Sequence, residues 1–376
     1  MPLERRPEHA LEGAPERTPE HAPERSAGRA PVRVAILGDN FMLPERFEQA
    51  IRGACGGGVT TRSATLPWPD EPMEHGYAKP GLDGLKEYQG DPDDVVAFVD
   101  DAQVLVTQLA PVSAGMLDRM PGLKLIAVSR GGPVNVDIKA AKARGVRVCN
   151  TPGRNASAVA EFTVGAILAQ TRLITAGHDA LRAGQWRGDL YRADRTGREL
   201  SESVVGVVGY GQIGTRLVRL LKPFGCRVLV YDPYVQLSAG DRADGVEQVS
   251  ELDALLARSD VVTLHARVTA ETTGMIGAAQ FARMRPGAVF VNTARGPLVD
   301  YAALYDALAS GHLGGAAVET FAVEPVPPDW PLLRLPNVTL TPHIAGASVR
   351  TVTVAAEAAA EEVRRFVAGE PPLNPC

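Results

Sequence analysis

The chain has 376 residues, of which 45% are hydrophobic and 22% are charged, and its net charge at pH 7 is −5. This length predicts two domains, and the composition is that of a globular protein. The small negative charge gives no electrostatic basis for binding nucleic acid or an anionic membrane, and the sequence lacks the apolar run of about 18 residues that a membrane span requires.

Cysteine usage and the first residues bear on location. The four cysteines are widely separated, without the CxxC spacing of a metal site, so we predict free thiols, no bound metal and a cytoplasmic location.

Residues 1–31 contain six prolines and two copies of the tetrapeptide PEHA, with few apolar side chains. Such a segment cannot bury enough surface to offset the entropy of ordering, and it lacks the apolar centre of a secretory signal. We therefore predict a disordered tail.

After the tail, short apolar runs alternate with helical patterns. The predicted strands of this first series are Val32–Gly38, Val104–Thr107, 124–128 and 146–149. The predicted helices are 45–53, 93–100 and 136–143, and the Pro-, Gly- and Asp-rich region 60–92 is predicted to be mainly loop. This alternation is typical of βα units around a buried parallel sheet.

A long helical pattern over 155–184, with Asn155 as its predicted N-cap, leads into a second series of the same kind. The strands predicted there are Val204–Val208, Arg227–Tyr231, Val261–Leu264, 288–292, 316–318 and Val338–Leu340. A helix over 352–368 ends the pattern. We predict an α/β protein with two doubly wound parallel-sheet domains.

The hexapeptide GYGQIG stands directly between the predicted strand Val204–Val208 and a helix. This arrangement is typical of dinucleotide binding, because the glycines permit a tight turn and close approach of a pyrophosphate to the helix N-terminus. The loop residues predicted to bind the cofactor are Gly209, Tyr210, Gly211, Gln212, Ile213 and Gly214. The next strand leads to Asp232, 18 residues beyond the last glycine. Its carboxylate would bind ribose hydroxyls and repel a 2′-phosphate, which favours NAD over NADP.

Five segments together resemble the D-isomer-specific 2-hydroxyacid dehydrogenases, in particular the phosphoglycerate dehydrogenase-like branch. They are GYGQIG, NTPGRNASAVAEF, VNTARGPLVD, ETFAVEP and LTPHIAG. The resemblance implies a Rossmann cofactor domain at 151–344 and a discontinuous, flavodoxin-like substrate domain at 32–150 plus 345–376. It also implies a homodimer built by the region 155–202.

The same resemblance implies the catalytic residues Arg295, Glu324 and His343. The chemistry agrees, because a guanidinium can hold a carboxylate and polarise a keto oxygen, and an imidazole can exchange a proton near neutral pH. Glu324 would favour the protonated imidazole. The alternatives are a surface ion pair for Arg295 and a structural core histidine for His343. We predict a structural role for His265, at the end of its strand.

Further site residues follow from the resemblance. Gly131 and Gly132 would hold the substrate carboxylate through backbone amides, although the loop could be an ordinary turn. Arg130, beside them, could meet a second anionic group of the substrate. Predicted cofactor contacts beyond the glycine loop are Thr293, Ala294, Glu319, Ala345 and Gly346, and Glu319 stands where the family usually has aspartate.

These observations predict an enzyme that transfers a hydride between NAD(H) and a small D-2-hydroxy acid/2-keto acid pair. Two alternatives remain open: a dehydrogenase of a phosphorylated or phosphonate-bearing 2-hydroxy acid, and a non-catalytic NAD(H)-sensing corepressor.

Overall fold

The computed structural model describes residues 30–67 and 81–376. The predicted tail therefore lies almost wholly outside the described residues, as do residues 68–80 of the region predicted to be loop. Within the described ranges the strands form two sheets, and every strand pair in them is parallel.

The first sheet has five strands in the order β2-β1-β3-β4-β5, which is the flavodoxin-like order. Its strands are β1 Val32–Gly38, β2 Val59–Thr65, β3 Val104–Thr107, β4 Leu125–Val128 and β5 Arg147–Cys149. Its helices are α1 Pro44–Cys55, α2 Pro92–Val99, α3 Ala114–Asp118 and α4 Ile138–Ala143. The central strands β3 and β4 are buried at every position, as their apolar runs predict.

The expectation of loop over 60–92 is wrong for its first residues, which form the edge strand β2. An edge strand pairs on one side only, and most of this one is partly exposed, so its residues are Thr, Arg and Ser rather than an apolar run. Further along, irregular backbone carries Leu82, Leu85 and Tyr88 into the core of the first sheet.

The second sheet has seven strands in the order β12-β11-β10-β9-β6-β7-β8, the Rossmann order with one additional strand. Its strands are β6 Val204–Val208, β7 Arg227–Tyr231, β8 Glu247–Val249, β9 Val261–Leu264, β10 Val289–Asn292, β11 Gly315–Val318 and β12 Val338–Leu340. The helices from this region to the end of the chain are α5 Ala156–Thr171, α6 Ile174–Arg182, α7 Gln212–Leu221, α8 Ala239–Ala243, α9 Leu252–Arg258, α10 Ala278–Arg283, α11 Tyr301–Ala309 and α12 Val349–Ala368.

The single long helix expected over 155–184 is instead two helices, α5 and α6. Leu173, between them, has a left-handed backbone with φ 56°, and the Thr171 carbonyl accepts the N–H of Arg198 at 2.9 Å instead of continuing the helical ladder. A tertiary contact therefore breaks a pattern that is locally helical. Asn155 is the N-cap residue of α5, as predicted, although its side chain makes no capping hydrogen bond.

The C-terminal helix α12 returns to the first sheet. Its buried residues, including Val352, Ala356 and Val363, share a core with Val34 and Ile36 of β1. We propose on this basis that residues 32–150 and 345–376 form the smaller domain and 151–344 the larger. Among residues 30–67 and 81–376, no helix is both long and apolar enough to cross a membrane.

Candidate active site

Arg295, Glu324 and His343 lie beyond the carboxyl ends of three neighbouring strands. Arg295 follows β10, Glu324 lies in the loop after β11, and His343 follows β12, and these strands pair in that order. The carboxyl ends of parallel strands meet at one edge, where ligands bind in open α/β sheets. The fold therefore places all three predicted catalytic residues at the same edge of the larger sheet.

Glu324 and His343 form a direct pair although they are far apart in sequence. Glu324 Oε2 lies 2.8 Å from His343 Nδ1. The other carboxylate oxygen, Oε1, accepts the backbone N–H of Phe321 at 2.7 Å. Because both oxygens are held, the carboxylate has a defined orientation toward the imidazole.

The backbone of His343 is held in an unusual conformation. Its φ is 53°, in the left-handed region that a non-glycine residue rarely adopts. Two bonds to Glu319 fix the turn: the His343 N–H donates to the Glu319 carbonyl at 3.0 Å, and the Ala345 N–H donates to Glu319 Oε1 at 2.7 Å. A residue held in such a conformation is typical of functional sites.

Glu319 is itself buried, with 2% of its surface exposed. Its pKa is raised to about 7, mainly by burial and also by the charge of Glu324, while the Ala345 N–H bond and the charges of His343 and Arg295 oppose the shift. All of these charges therefore lie within electrostatic reach of one carboxyl group. Glu319 was predicted to contact the cofactor, and the observed bond shows that it also holds the loop that carries His343.

Asn292 and Gly296 position Arg295, and the sequence analysis missed both. The buried Asn292 donates to the Arg295 carbonyl at 3.1 Å and accepts the Ala294 N–H at 3.1 Å. A side chain at Gly296 would place its Cβ 1.9 Å from the Phe321 carbonyl oxygen. Only glycine lets the Arg295 turn approach the loop that leads to Glu324. The sequence feature that could have identified them was their position in the VNTARGPLVD segment.

The glycine loop fits the pyrophosphate of a dinucleotide. Gly209 has φ 99°, and a Cβ there would lie 2.7 Å from the backbone of His265. A Cβ at Gly214 would lie 2.1 Å from the Gly209 carbonyl oxygen, whereas the position above Gly211 is open. Helix α7 begins at Gln212, so its first N–H groups face this space. The residues present therefore match what NAD requires.

Asp232 lies at the end of β7, beside the loop. Its Oδ2 accepts the Tyr210 N–H at 2.7 Å, and its Oδ1 accepts those of Tyr234 and Val235 at 2.9 and 3.0 Å. A carboxylate has about four acceptor positions, so three backbone bonds leave capacity for a ribose hydroxyl. The Tyr210 side chain is buried and donates to Asp241, so only its backbone faces the loop.

The other predicted cofactor contacts surround the same edge. Thr293 and Ala294 follow β10 and are buried, and the hydroxyl of Thr293 lies 2.8 Å from that of Thr163 on α5. Ala345 is buried, and a Cβ at Gly346 would lie 2.6 Å from Asn155 Nδ2. The close packing between Gly346 and Asn155 joins the His343 turn to the start of α5.

His265, for which a structural role was predicted, lies at the end of β9. It is partly buried, its Nε2 lies 3.0 Å from the Thr263 hydroxyl, and desolvation lowers its pKa to about 3. A histidine that stays neutral across the physiological range is a poor proton donor.

The carboxyl end of the smaller sheet carries Arg130 and the two glycines after it. Gly131 and Gly132 are exposed just beyond β4, with open space where a side chain would stand. Arg130 is mostly buried and donates to Glu87, both to its carbonyl at 3.0 Å and to its carboxylate. The cation predicted to meet a second anion of the substrate thus already has a carboxylate partner.

Arg154, which was not predicted as a site residue, lies near Arg130. Burial lowers its pKa to about 10, and its guanidinium lies 6.0 Å from the ring centroid of Phe41. Its Nη1 is buried without an acceptor among the described residues. The only advance signal was a cation within the NTPGRN segment between the two domains.

Comparison with known proteins agrees with this geometry. Residues 164–345 match the family described as D-isomer specific 2-hydroxyacid dehydrogenase, NAD binding domain. The chain is 39% identical over 281 residues to a glyoxylate reductase of Korarchaeum cryptofilum, covering 74% of this chain and 84% of that one. It is 40% identical over 281 residues to a D-3-phosphoglycerate dehydrogenase of Mycobacterium tuberculosis, covering 74% of this chain and 52% of that one.

The fold also matches solved structures of this kind. A D-mandelate dehydrogenase of Rhodotorula graminis superposes with a TM-score of 0.74 at 26% identity, covering 92% of this chain and 98% of that chain. The two-sheet architecture, the glycine loop and the matched sequence agree with one another. The chain therefore belongs to the D-isomer specific 2-hydroxyacid dehydrogenase family, as an NAD-dependent oxidoreductase.

Proposed function

We propose that Arg295, Glu324 and His343 catalyse the interconversion of a small D-2-hydroxy acid and its 2-keto acid. The observation that carries this proposal is the 2.8 Å pair between His343 and Glu324, at the same sheet edge as Arg295. This arrangement supplies a proton donor and a carboxylate-binding cation at one end of the sheet.

In the direction of keto-acid reduction, Arg295 holds the substrate carboxylate and polarises the keto oxygen through its several donors. The amides of Gly131 and Gly132 face the same carboxylate from the smaller domain. His343 protonates the keto oxygen from Nε2, because Nδ1 is bonded to Glu324. Glu324 orients the imidazole through its bond to Nδ1. NADH, when it is held by the glycine loop, supplies the hydride for the keto carbon.

The cofactor preference follows from Asp232. Its carboxylate suits the two hydroxyls of the NAD ribose and repels the 2′-phosphate of NADP. No cation follows it directly, since the next residues are Pro233 and Tyr234. We therefore assign NAD to the site.

The test is an NADH-oxidation assay of the full chain with glyoxylate, pyruvate, hydroxypyruvate and longer 2-keto acids, followed by chiral analysis of the product. We expect turnover with at least one acid and a D product. Arg295→Ala should lower kcat/KM by about 100-fold or more, because it removes a charged, multidentate contact. Absence of turnover with every acid, together with tight NADH binding, would favour the corepressor alternative.

We also propose a homodimer, as the family resemblance implies. Four large apolar side chains are exposed on α6 and the segment after it: Ile174, Leu181, Trp186 and Tyr191. Exposed apolar groups concentrated in one segment mark an interaction surface. Light scattering of the wild type should give twice the chain mass, and Trp186→Glu should shift the population toward monomer.

A further inference from the structure

The carboxyl end of the five-stranded sheet holds polar atoms with no partner among residues 30–67 and 81–376. They are Asp39 Oδ2 just after β1, Gln108 Oε1 just after β3, and Arg154 Nη1 beyond β5. Asp39 is fully buried and Gln108 is 5% exposed. Because buried polar groups nearly always have hydrogen-bond partners, a group of them at the edge where ligands bind marks an incomplete site.

Arg154 is the most informative of the three because it carries a full charge. No carboxylate of the described residues forms an ion pair with it. The nearest negative charge is that of Asp39, which acts on Arg154 through space without a hydrogen bond. A largely buried guanidinium with no carboxylate partner is unfavourable unless something brings an anion to it.

Two other arginines lie in the same electrostatic field. The pKa of Arg130 is lowered to about 10, mainly by burial and also by the charges of Arg154 and Arg295, while Asp39 opposes the shift. The three cations differ in their partners: Glu87 neutralises Arg130, and the substrate carboxylate would neutralise Arg295. Arg154 has no such partner. Neither the described residues nor a substrate with a single carboxylate supplies an anion that bonds to it.

We propose that Arg154 binds a second anionic group on the substrate, so that the enzyme prefers 2-keto and 2-hydroxy acids whose chain carries a carboxylate or phosphate. This proposal rests on the proposed function and names the substrate class of the same site. It also transfers the role first expected for Arg130 to Arg154. Arg130, bound to Glu87, becomes a positioning residue that supports the loop before Gly131.

The test compares matched substrates that differ in a second anion. One pair is oxaloacetate and 2-oxobutanoate, which have the same number of carbons; the other is 3-phosphohydroxypyruvate and hydroxypyruvate. With the wild-type full chain and NADH, we expect kcat/KM for the substrate with the second anion to exceed that of its partner by about 10-fold or more in at least one pair. The pair that shows the preference identifies carboxylate or phosphate as the recognised group.

Arg154→Ala should reduce that anionic preference at least about 10-fold, mainly through KM, since the lost contact lies away from the reacting carbon. Arg154→Lys should restore part of it, because it returns the charge without the planar fork. Arg119→Ala is the control: it removes an exposed arginine of the smaller domain that pairs with Asp93, away from the proposed site. Thermal unfolding of each variant establishes that it is folded.

If the wild type shows no preference for the member with the second anion in either pair, the proposal is overturned. So would an Arg154→Ala variant that is folded and loses kcat/KM equally for both members. Either result could occur while 2-keto acids are still reduced with NADH, in which case the proposed function stands. If no 2-keto acid is reduced at all, the proposed function itself fails.

Discussion

The carboxyl ends of the two sheets are built differently. At the larger sheet, Glu324 is held at both oxygens, and the turn of His343 is fixed by Glu319. At the smaller sheet, Asp39 and Arg154 have buried atoms that no described residue satisfies. Besides Arg154, residues 151–344 have buried atoms without a partner among the described residues in His265 and Thr320.

We relate this difference to two tasks, the chemical step and the recognition of the substrate. Groups that act on developing charge work best when they are already oriented, because no reorganisation is then needed during the reaction. Groups that recognise a substrate can remain unsatisfied until the substrate arrives, and the unpaired group then rejects molecules that lack the matching partner. The carboxyl end of the larger sheet has the first character and that of the smaller sheet has the second.

The largest effect is expected from His343→Gln, which tests the pre-oriented groups at the carboxyl end of the larger sheet. Glutamine can still bond to Glu324 but cannot exchange a proton, so we expect kcat for keto-acid reduction to fall by about 1,000-fold or more. NADH binding, measured by fluorescence, should change little. A folded variant with kcat within tenfold of the wild type would contradict the role given to His343.

Glu324→Gln should have the next largest effect. The amide can keep a hydrogen bond to the imidazole but removes the negative charge beside it, so we expect kcat to fall about 10- to 100-fold. Glu324→Asp, which keeps the charge, is the control. A folded Glu324→Gln variant with kcat within twofold of the wild type would argue against an electrostatic role.

Asp232→Asn tests the cofactor side of the larger domain. The amide has one acceptor oxygen in place of two and carries no negative charge, so binding to the ribose hydroxyls weakens and repulsion of a 2′-phosphate ends. We expect the ratio of kcat/KM for NADH to that for NADPH to fall by about 10-fold. Equal ratios in wild type and variant would remove Asp232 from cofactor selection.

Glu319 should have the smallest effect on turnover. Its effect should appear instead in the free energy of unfolding. Its pKa in the folded chain, about 7, lies above the ordinary value of 4.5, so the folded state keeps a proton that the unfolded state releases between these values. The free energy of unfolding therefore falls as pH rises through this window, by up to about 3 kcal/mol. Glu319→Gln stays neutral and keeps an acceptor for the Ala345 N–H.

We therefore expect the melting temperature to decrease between pH 5 and pH 8 by more in the wild type than in Glu319→Gln. Calorimetry over this range measures the difference directly. Parallel pH profiles for the two proteins would show that Glu319 is ionised in the folded state throughout.

Much of the fold could be predicted because the signals are local. The buried strands β1, β3, β6 and β9 have the predicted bounds, since a strand covered on both faces is an unbroken apolar run. The edge strand β2 was missed because only part of it is buried. The break at Leu173 was missed because the bond from Arg198 to Thr171 joins segments that are distant in sequence.

The sequence by itself determined the glycine turn, the acid at the end of β7 and the identity of the three proposed catalytic residues, because each is written into a short segment with its own geometry. The tertiary structure alone decided that His343 and Glu324 come within bonding distance, since that contact depends on the pairing of β11 with β12. It also decided which arginine keeps a carboxylate: Glu87 reaches Arg130 and not Arg154. Whether a charge is paired depends on what the fold brings within a few ångströms of it, and neighbours along the chain do not reveal that.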